Sequence, residues 1–167
     1  DGRLTGGNFD GIGFVAGLRR QGHEPAGRRV YLAGAGGAGK AIAHALAEAG
    51  VAGLSLHNRS RDKAQAVASQ LHARFPHVPV TVVDDIPGDC DIAINATSLG
   101  LKDDDPLPFA PQALAPGTLV ADAVMRRDDT PLLAAALACG CRVHPGRHML
   151  EGQLSEIARF LGIAAPD

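Results

Sequence analysis

Short apolar runs alternate with longer segments of helical character along almost the whole chain. A run such as Val30–Ala33 is typical of a strand buried on both faces of a sheet. The segment 61–75 instead places Ala64, Val67 and Leu71 at the spacing of one helix face. The pattern as a whole predicts strands over 30–33, 54–57, 78–83, 91–95, 119–124 and 141–144, and helices over 10–20, 40–49, 61–75, 131–138 and 149–161.

Strands that alternate with helices favour right-handed βαβ units and a parallel sheet. The expected fold class is α/β, a Rossmann-type doubly wound parallel sheet of about six strands. We expect one domain over 1–167 with three parts: a hinge-helix region over 1–24, a Rossmann core over 25–147 and a closing helix region over 148–167.

Composition and charge exclude several classes of protein. Of the 167 residues, 46% are hydrophobic and 20% charged, so a packed core is expected rather than disorder. The net charge of -2 argues against a nucleic-acid or anionic-membrane partner bound through bulk charge. Neither a membrane-spanning run nor a signal peptide is expected, and an odd number of cysteines, 3, does not suggest a disulfide framework. A cytoplasmic protein is therefore the expectation.

The glycine-rich segment Gly34–Gly39 follows a predicted strand and opens a predicted helix. Gly34, Gly36 and Gly39 form the pattern G-x-G-x-x-G, in which the glycines serve the tight turn, the approach of backbone to a pyrophosphate, and close helix–strand packing. The segment therefore predicts a dinucleotide site; a glycine turn that binds no nucleotide is the alternative. The candidate cofactor-binding residues are Gly34, Ala35, Gly36, Gly37 and Ala38.

The end of the second core strand indicates which dinucleotide binds. NAD-binding folds place an acidic residue there to accept the ribose hydroxyls. This chain has Asn58, Arg59 and Ser60 instead, followed by Lys63 one helical turn later. Arg59 and Lys63 can pair with a 2′-phosphate, which favours NADP over NAD. The alternative is a solvated basic helix start, although basic residues are unfavourable at that end of a helix dipole.

Five motifs in one order resemble the shikimate/quinate dehydrogenase family, specifically its C-terminal, cofactor-binding part. The resemblance runs over nearly the whole chain. The motifs are GGNFDG at 6–11, the turn Gly34–Gly39, NRSxxK at 58–63, DIAINATS at 91–98, and TPLL at 130–133 with GxxMLxxQ at 146–153.

The resemblance implies an active site shared between two domains. Asp10 matches the family's catalytic aspartate, which also binds substrate and pairs with a lysine from a separate N-terminal substrate domain. Gln153 matches a substrate-binding glutamine. The structural alternatives are a helix N-cap for Asp10 and an exposed helical position for Gln153. The start at Asp1, without Met, fits a fragment that lacks that domain.

Further cofactor contacts are implied at two places. Gly146 and Met149 match positions that line the nicotinamide site, although a methionine alone is more often part of a core. Asn95, Ala96 and Thr97 end a strand at the topological switch point, where backbone groups and the Thr97 hydroxyl can bond a cofactor. A simple strand-end turn is the alternative.

Two positions depart from the family pattern. Phe9 stands where the family usually has threonine, and Met125 stands where it usually has tyrosine. Both changes remove a hydroxyl from the substrate side and resemble a shikimate-dehydrogenase-like branch. They leave the identity of the hydroxy acid open, but not that of the cofactor.

The expected function is NADP-dependent, reversible hydride transfer between a cyclic hydroxy acid of the shikimate or quinate type and its 3-dehydro ketone. Alternatives are a non-catalytic sensor of the same family and a glutamyl-tRNA-reductase-like enzyme, which has a similar glycine turn but not the TPLL and GxxMLxxQ motifs. The expected partners are a small-molecule substrate and the N-terminal substrate domain, in a monomer or homodimer. No metal is expected, because Cys139, Cys141 and His144 lack a fourth ligand and a standard zinc spacing.

Overall fold

The computed structural model describes residues 6–102 and 104–163. Its helices are α1 (Asp10–Arg20), α2 (Gly37–Glu48), α3 (Arg61–Arg74), α4 (Pro131–Ala138) and α5 (Arg147–Phe160). Its strands are β1 (Arg29–Ala33), β2 (Gly53–His57), β3 (Val80–Val82), β4 (Ile92–Asn95), β5 (Leu119–Asp122) and β6 (Arg142–His144), and a short 3-10 helix covers Pro111–Ala113.

The strands form one parallel sheet in the order β3-β2-β1-β4-β5-β6. This order confirms the predicted doubly wound α/β fold of six strands. The direction of strand progression reverses between β1 and β4, which pair with Ala33 opposite Asn95. Ligands bind beyond the carboxyl ends of strands at such a switch point, so that edge is where a site is expected.

Some element boundaries differ from the prediction for local reasons. Helix α2 begins at Gly37 rather than at residue 40, so the end of the glycine turn is already helical. Strand β5 ends at Asp122 rather than at residue 124, because the Asp122 carboxylate accepts a hydrogen bond from the backbone N–H of Val124 and turns the chain. Helix α5 begins at Arg147, two positions before the predicted start.

The central strands β1, β4 and β5 are buried on both faces, as their continuous apolar runs predicted. On one face, Val30 and Leu32 of β1 join a core formed with α1, α2, α3 and α5. On the other face, Tyr31 and Ala33 join a smaller core formed with α4 and the segment 109–114. Alternate residues of one strand therefore serve two separate cores.

Helix α1 lies in backbone contact with two other helices. A Cβ atom on Gly11 would lie 2.1 Å from the carbonyl oxygen of Ala41 in α2. On the other side, a Cβ atom on Gly152 of α5 would lie 2.1 Å from the carbonyl oxygen of Gly13. Since no larger side chain fits either contact, the position of α1 is fixed against both the glycine-turn helix and the closing helix.

In the part of the chain that the structure describes, we find no helix with both the length and the apolar character needed to cross a bilayer. The same residues contain no group of three or more His, Cys, Asp or Glu side chains arranged to hold a metal ion.

His144 ends β6 in the core and is 1% exposed. Neither of its ring nitrogens has a hydrogen-bond partner among the described residues. The rings of Phe14, His23 and His148 surround it at centroid distances of 6.1, 5.9 and 4.9 Å. Burial, together with a smaller effect from the charges of the neighbouring histidines, lowers the pKa of His144 to about 4. The Glu151 carboxylate has a smaller, opposite effect on this pKa.

We predict that this histidine makes the protein less stable in acid. Below the ordinary pKa of about 6.5, the unfolded chain protonates His144 while the folded protein excludes the proton until about pH 4. The free energy of unfolding should therefore fall by roughly 2 kcal/mol from His144 alone between about pH 7 and pH 4.5. Urea unfolding of His144→Leu should lose this part of the pH dependence. The exposed His77→Leu variant is the control and should keep it; equal slopes for the two variants would refute the assignment.

Candidate functional site

A cleft of about 390 Å³ opens at the carboxyl edge of the sheet, where β1 and β4 meet. It brings together most of the predicted cofactor residues from the glycine turn, the start of α3 and the segment after β4. The lining residues are Gly34, Gly36, Asn58, Arg59, Ser60, Lys63, Ala96, Thr97, Ser98 and Leu99.

Two glycines of the turn are required by its geometry. Gly34 has φ of +109°, and a Cβ atom there would lie 2.5 Å from the carbonyl oxygen of Ala96. A Cβ atom on Gly39 would lie 2.2 Å from the carbonyl oxygen of Gly34. These contacts agree with the roles predicted for the first and third glycines: a tight turn, and close packing of helix on strand.

The middle of the turn faces open space. A Cβ atom on Gly36 or Gly37 would have nothing within 4 Å. Gly36 is the N-cap of α2 and provides no side-chain cap, so the first N–H groups of the helix are left for another acceptor. An uncapped helix start beside an open cleft suits an anionic group.

Asn58 holds the turn rather than projecting freely into the cleft. Its Oδ1 accepts a hydrogen bond from the Ala35 backbone N–H at 3.1 Å, and its Nδ2 donates to the Ser60 carbonyl at 2.9 Å. The side chain therefore ties the glycine turn after β1 to the start of α3.

Arg59 and Lys63 are exposed at the mouth of the cleft, and within 6–102 and 104–163 neither side chain has a hydrogen-bond or ion-pair partner. The neighbouring Arg61 differs, because it pairs with Asp84 and also donates to the Val82 carbonyl at 3.3 Å. Arg59 and Lys63 lie at the positive end of α3, where cations are electrostatically unfavourable, and Asp62 in the same first turn forms no ion pair with either of them among the described residues. An anion bound between the two cations would offset this repulsion. The cleft thus has two features suited to an anion, the uncapped start of α2 and the cations Arg59 and Lys63 at the start of α3.

Asn95 lies beneath the cleft and does not reach it. Its side chain is fully buried; Oδ1 accepts from the Thr97 backbone N–H at 3.0 Å and from the Thr97 hydroxyl at 2.7 Å. Its Nδ2 donates to the Leu99 carbonyl at 3.0 Å. The Thr97 hydroxyl also accepts from the Leu99 N–H at 3.0 Å. Both side chains therefore shape the 96–99 segment that lines the cleft, and a direct cofactor contact by Asn95 or by the Thr97 hydroxyl stays a prediction.

The sequence reasoning missed Asp122, which is fully buried at the end of β5. Its Oδ1 accepts from Asn95 Nδ2 at 2.9 Å, across the strand pair β4–β5. Burial raises the pKa of Asp122, and hydrogen bonds from Val124, Thr130 and Asn95 oppose that rise. The available signal was a polar residue ending each of two adjacent apolar strands.

Asp10 and Gln153 meet although 143 positions separate them. Gln153 Nε2 donates to Asp10 Oδ1 at 2.9 Å, and both side chains are partly buried. Asp10 is the first residue of α1, and Phe9 is its N-cap. The Asp10 backbone N–H donates a hydrogen bond to Asn8 Oδ1 at 2.9 Å. The N-cap and exposed-helix alternatives for these two residues are therefore wrong.

Gly146 and Met149, which the resemblance predicts to line a nicotinamide site, are held by packing. The Met149 side chain is 3% exposed and belongs to the main core, which is the alternative considered for it. A Cβ atom on Gly146 would lie 2.4 Å from the Val124 carbonyl oxygen, so this glycine permits close contact with the turn after β5. A direct cofactor contact by either residue stays a prediction.

The two departures from the family pattern differ in their surroundings. The Phe9 ring packs edge-on against Phe160 at a centroid distance of 5.4 Å, joining the start of α1 to the end of α5. Met125 is 49% exposed, just beyond β5.

This site geometry agrees with sequence comparison. A family model described as Shikimate / quinate 5-dehydrogenase matches residues 18–101, half of the chain. The chain belongs to the shikimate/quinate dehydrogenase family. The predicted resemblance is thus confirmed.

Relatives extend this family match over the full chain. The shikimate dehydrogenase (NADP(+)) of Rubrobacter xylanophilus is 40% identical, over 100% of this chain and 60% of the relative. The solved 5-ketofructose reductase of Gluconobacter sp. strain CHM43 superposes with a TM-score of 0.89 at 35% identity, covering 99% of this chain and 62% of that one. Quinate dehydrogenase from Corynebacterium glutamicum in complex with NAD gives a TM-score of 0.87 at 31% identity, covering 99% and 61%. The chain therefore spans about 60% of the length of such family members.

We predict that Gly39→Ala destabilises the protein by about 2 kcal/mol, because the added methyl group would force α2 away from the Gly34 carbonyl. Gly37→Ala in the same helix is the matched control and should cost nothing measurable, since its Cβ atom enters open space. Chemical denaturation of both variants measures the difference; equal stabilities would contradict the packing role of Gly39.

Proposed function

We propose that this chain is the cofactor-binding part of an NADP-dependent dehydrogenase that interconverts a cyclic hydroxy acid, of the shikimate or quinate type, and its 3-dehydro ketone. The observation that carries the proposal is the cleft in which the open glycine turn faces the uncompensated cations Arg59 and Lys63. An isolated glycine turn would require neither cation.

The residues of the cleft fit NADP. The open backbone at Gly36 and Gly37, with the uncapped start of α2, suits the pyrophosphate. Arg59 and Lys63 suit the 2′-phosphate that distinguishes NADP from NAD. When bound, NADP supplies or accepts the hydride of the reaction. The Rubrobacter relative is named for NADP(+), whereas the Corynebacterium enzyme was solved with NAD. In this chain, Arg59 and Lys63 favour NADP over NAD.

Asp10 is the proposed catalytic and substrate-binding carboxylate. Gln153 Nε2 already holds its Oδ1, which leaves Oδ2 to accept a hydrogen bond from a substrate hydroxyl. A lysine from the substrate domain would complete a pair with Asp10 that takes up and returns the hydroxyl proton. Gln153 would bind the substrate from the same side, because the hydrogen bond fixes its amide beside Asp10.

Helix α5 carries an apolar surface suited to a covering domain. Leu150, Leu154 and Leu161 project from one side at 45%, 59% and 61% exposure. Three exposed leucines that recur along one side of a helix and its C-cap suit an interaction surface. We assign the family's substrate domain as the partner, because α5 also holds Gln153 and would place the covered surface next to the substrate.

We predict that the chain binds NADP at least tenfold more tightly than NAD, a difference of about 1.4 kcal/mol. Arg59→Gln should remove most of this preference by weakening NADP alone, as measured by titration calorimetry. Arg61→Gln is the matched control and should retain the preference, because Arg61 is occupied by Asp84. If wild-type protein bound NAD as tightly as NADP, the assignment of a 2′-phosphate site would be wrong.

We also predict that the 167-residue chain binds NADP without oxidising shikimate or quinate, because the lysine partner of Asp10 is expected on the substrate domain. A chain extended by that domain should turn over, and Asp10→Asn in it should lower kcat at least a hundredfold. Absorbance of the reduced nicotinamide measures both. Turnover by the short chain would contradict the divided site, and binding without turnover by the extended chain would support the sensor alternative.

A further inference from the structure

Asp122 is a buried acidic side chain that the proposed reaction does not use. It is fully buried, and the three groups that donate to it within the described residues are all neutral. Placing a carboxylate in the core without a cation has a desolvation cost that an apolar residue would avoid. Its hydrogen bonds indicate what it does there.

Each hydrogen bond to Asp122 comes from a different segment at the carboxyl edge. Oδ1 accepts from Asn95 Nδ2 at the end of β4, at 2.9 Å, and from the Val124 N–H in the turn after β5, at 3.0 Å. Oδ2 accepts from the Thr130 hydroxyl at 2.7 Å. Thr130 is the N-cap of α4, where its hydroxyl also accepts from the Leu133 N–H at 3.3 Å.

Asn95 extends this arrangement to the wall of the nucleotide cleft. While its Nδ2 donates to Asp122, the same amide holds the Thr97 N–H, the Thr97 hydroxyl and the Leu99 carbonyl. Residues 96–99 line the cleft opposite the start of α3. Without Asp122, the Asn95 Nδ2 would lose one of its two acceptors and keep only the Leu99 carbonyl, and the side chain would lose its bond to the neighbouring strand β5.

We propose that Asp122 is a positioning residue for the dinucleotide: through Asn95, it holds residues 96–99 in the shape that the cleft requires. The inference rests on the proposed function for its ligand, but the effect on residues 96–99 is a property of the chain alone. A carboxylate suits the role because it only accepts hydrogen bonds and can serve all three donors, whereas an apolar residue would leave one N–H of the buried Asn95 amide without an acceptor.

The proposed role predicts more than a loss of stability. In Asp122→Leu, the backbone amides of Thr97 and Leu99 should exchange with solvent at least tenfold faster, as followed by NMR without cofactor. The dissociation constant for NADP, measured by calorimetry, should rise at least tenfold. Asp122→Asn should recover most of both, because its Oδ1 can serve Asn95 and Val124 while its Nδ2 donates to the Thr130 hydroxyl.

The matched control is Thr118→Val at the opposite edge of the sheet. Thr118 is also buried, and its hydroxyl donates to the Cys90 carbonyl at 3.4 Å, away from the cleft. This variant should lower the melting temperature without altering exchange at Thr97 and Leu99 or the affinity for NADP. If Asp122→Leu changed exchange and affinity no more than Thr118→Val did, Asp122 would be structural only and the proposal overturned.

Two further measurements cover the cases in which Asp122→Leu does not fold or the wild-type chain does not bind NADP. Should Asp122→Leu fail to fold, Thr130→Val replaces it; this variant removes one anchor of the carboxylate and should speed exchange at Thr97 and Leu99 at least threefold, and no increase overturns the proposal. If the wild-type chain does not bind NADP, the proposed function fails, yet the exchange measurement still decides whether Asp122 holds residues 96–99.

Discussion

The contacts of α1 with α2 and α5 fix the geometry on which the candidate site depends. Glycine allows the backbones to meet directly: Gly11 lies against Ala41 of α2, and Gly13 against Gly152 of α5. Asp10 begins the helix held between these neighbours. The 2.9 Å bond from Gln153 to Asp10 is then a consequence of main-chain packing rather than of two flexible side chains finding each other.

A second feature of the molecule is the contrast between its satisfied and unsatisfied polar groups. Beneath the cleft, Asn95 and Asp122 are fully bonded within the protein. At its mouth, Arg59 and Lys63 have no partner among the described residues, although Arg61 beside them has one. Buried polar networks make structure specific, whereas exposed cations without an ion-pair partner at a helix start can be stabilised by an anionic ligand.

Much of the fold and part of the site could be predicted from the sequence, for physical reasons. Apolar runs such as Val30–Ala33 indicate doubly buried strands, and the contact that requires glycine at position 39 is with Gly34 of the same turn. The roles of Asn95 and Met149 could not be predicted in the same way. Asn95 also donates to Asp122, 27 positions away, and the burial of Met149 depends on how α5 packs against α1. Such information is tertiary, and local spacing does not contain it.

The close packing of α1 against α2 and α5 has a consequence for how the proposed enzyme would work. Asp10, Gln153 and the glycine turn are joined through packed main chain, so they would move as one body with a bound nucleotide. The lysine expected from the other domain would move separately. Separation of the two domains would then split the acid–base pair itself, so that the proton-transfer machinery exists only while the domains are closed. Reduced cofactor held by an open molecule would be protected from unproductive chemistry because half of the catalyst is elsewhere.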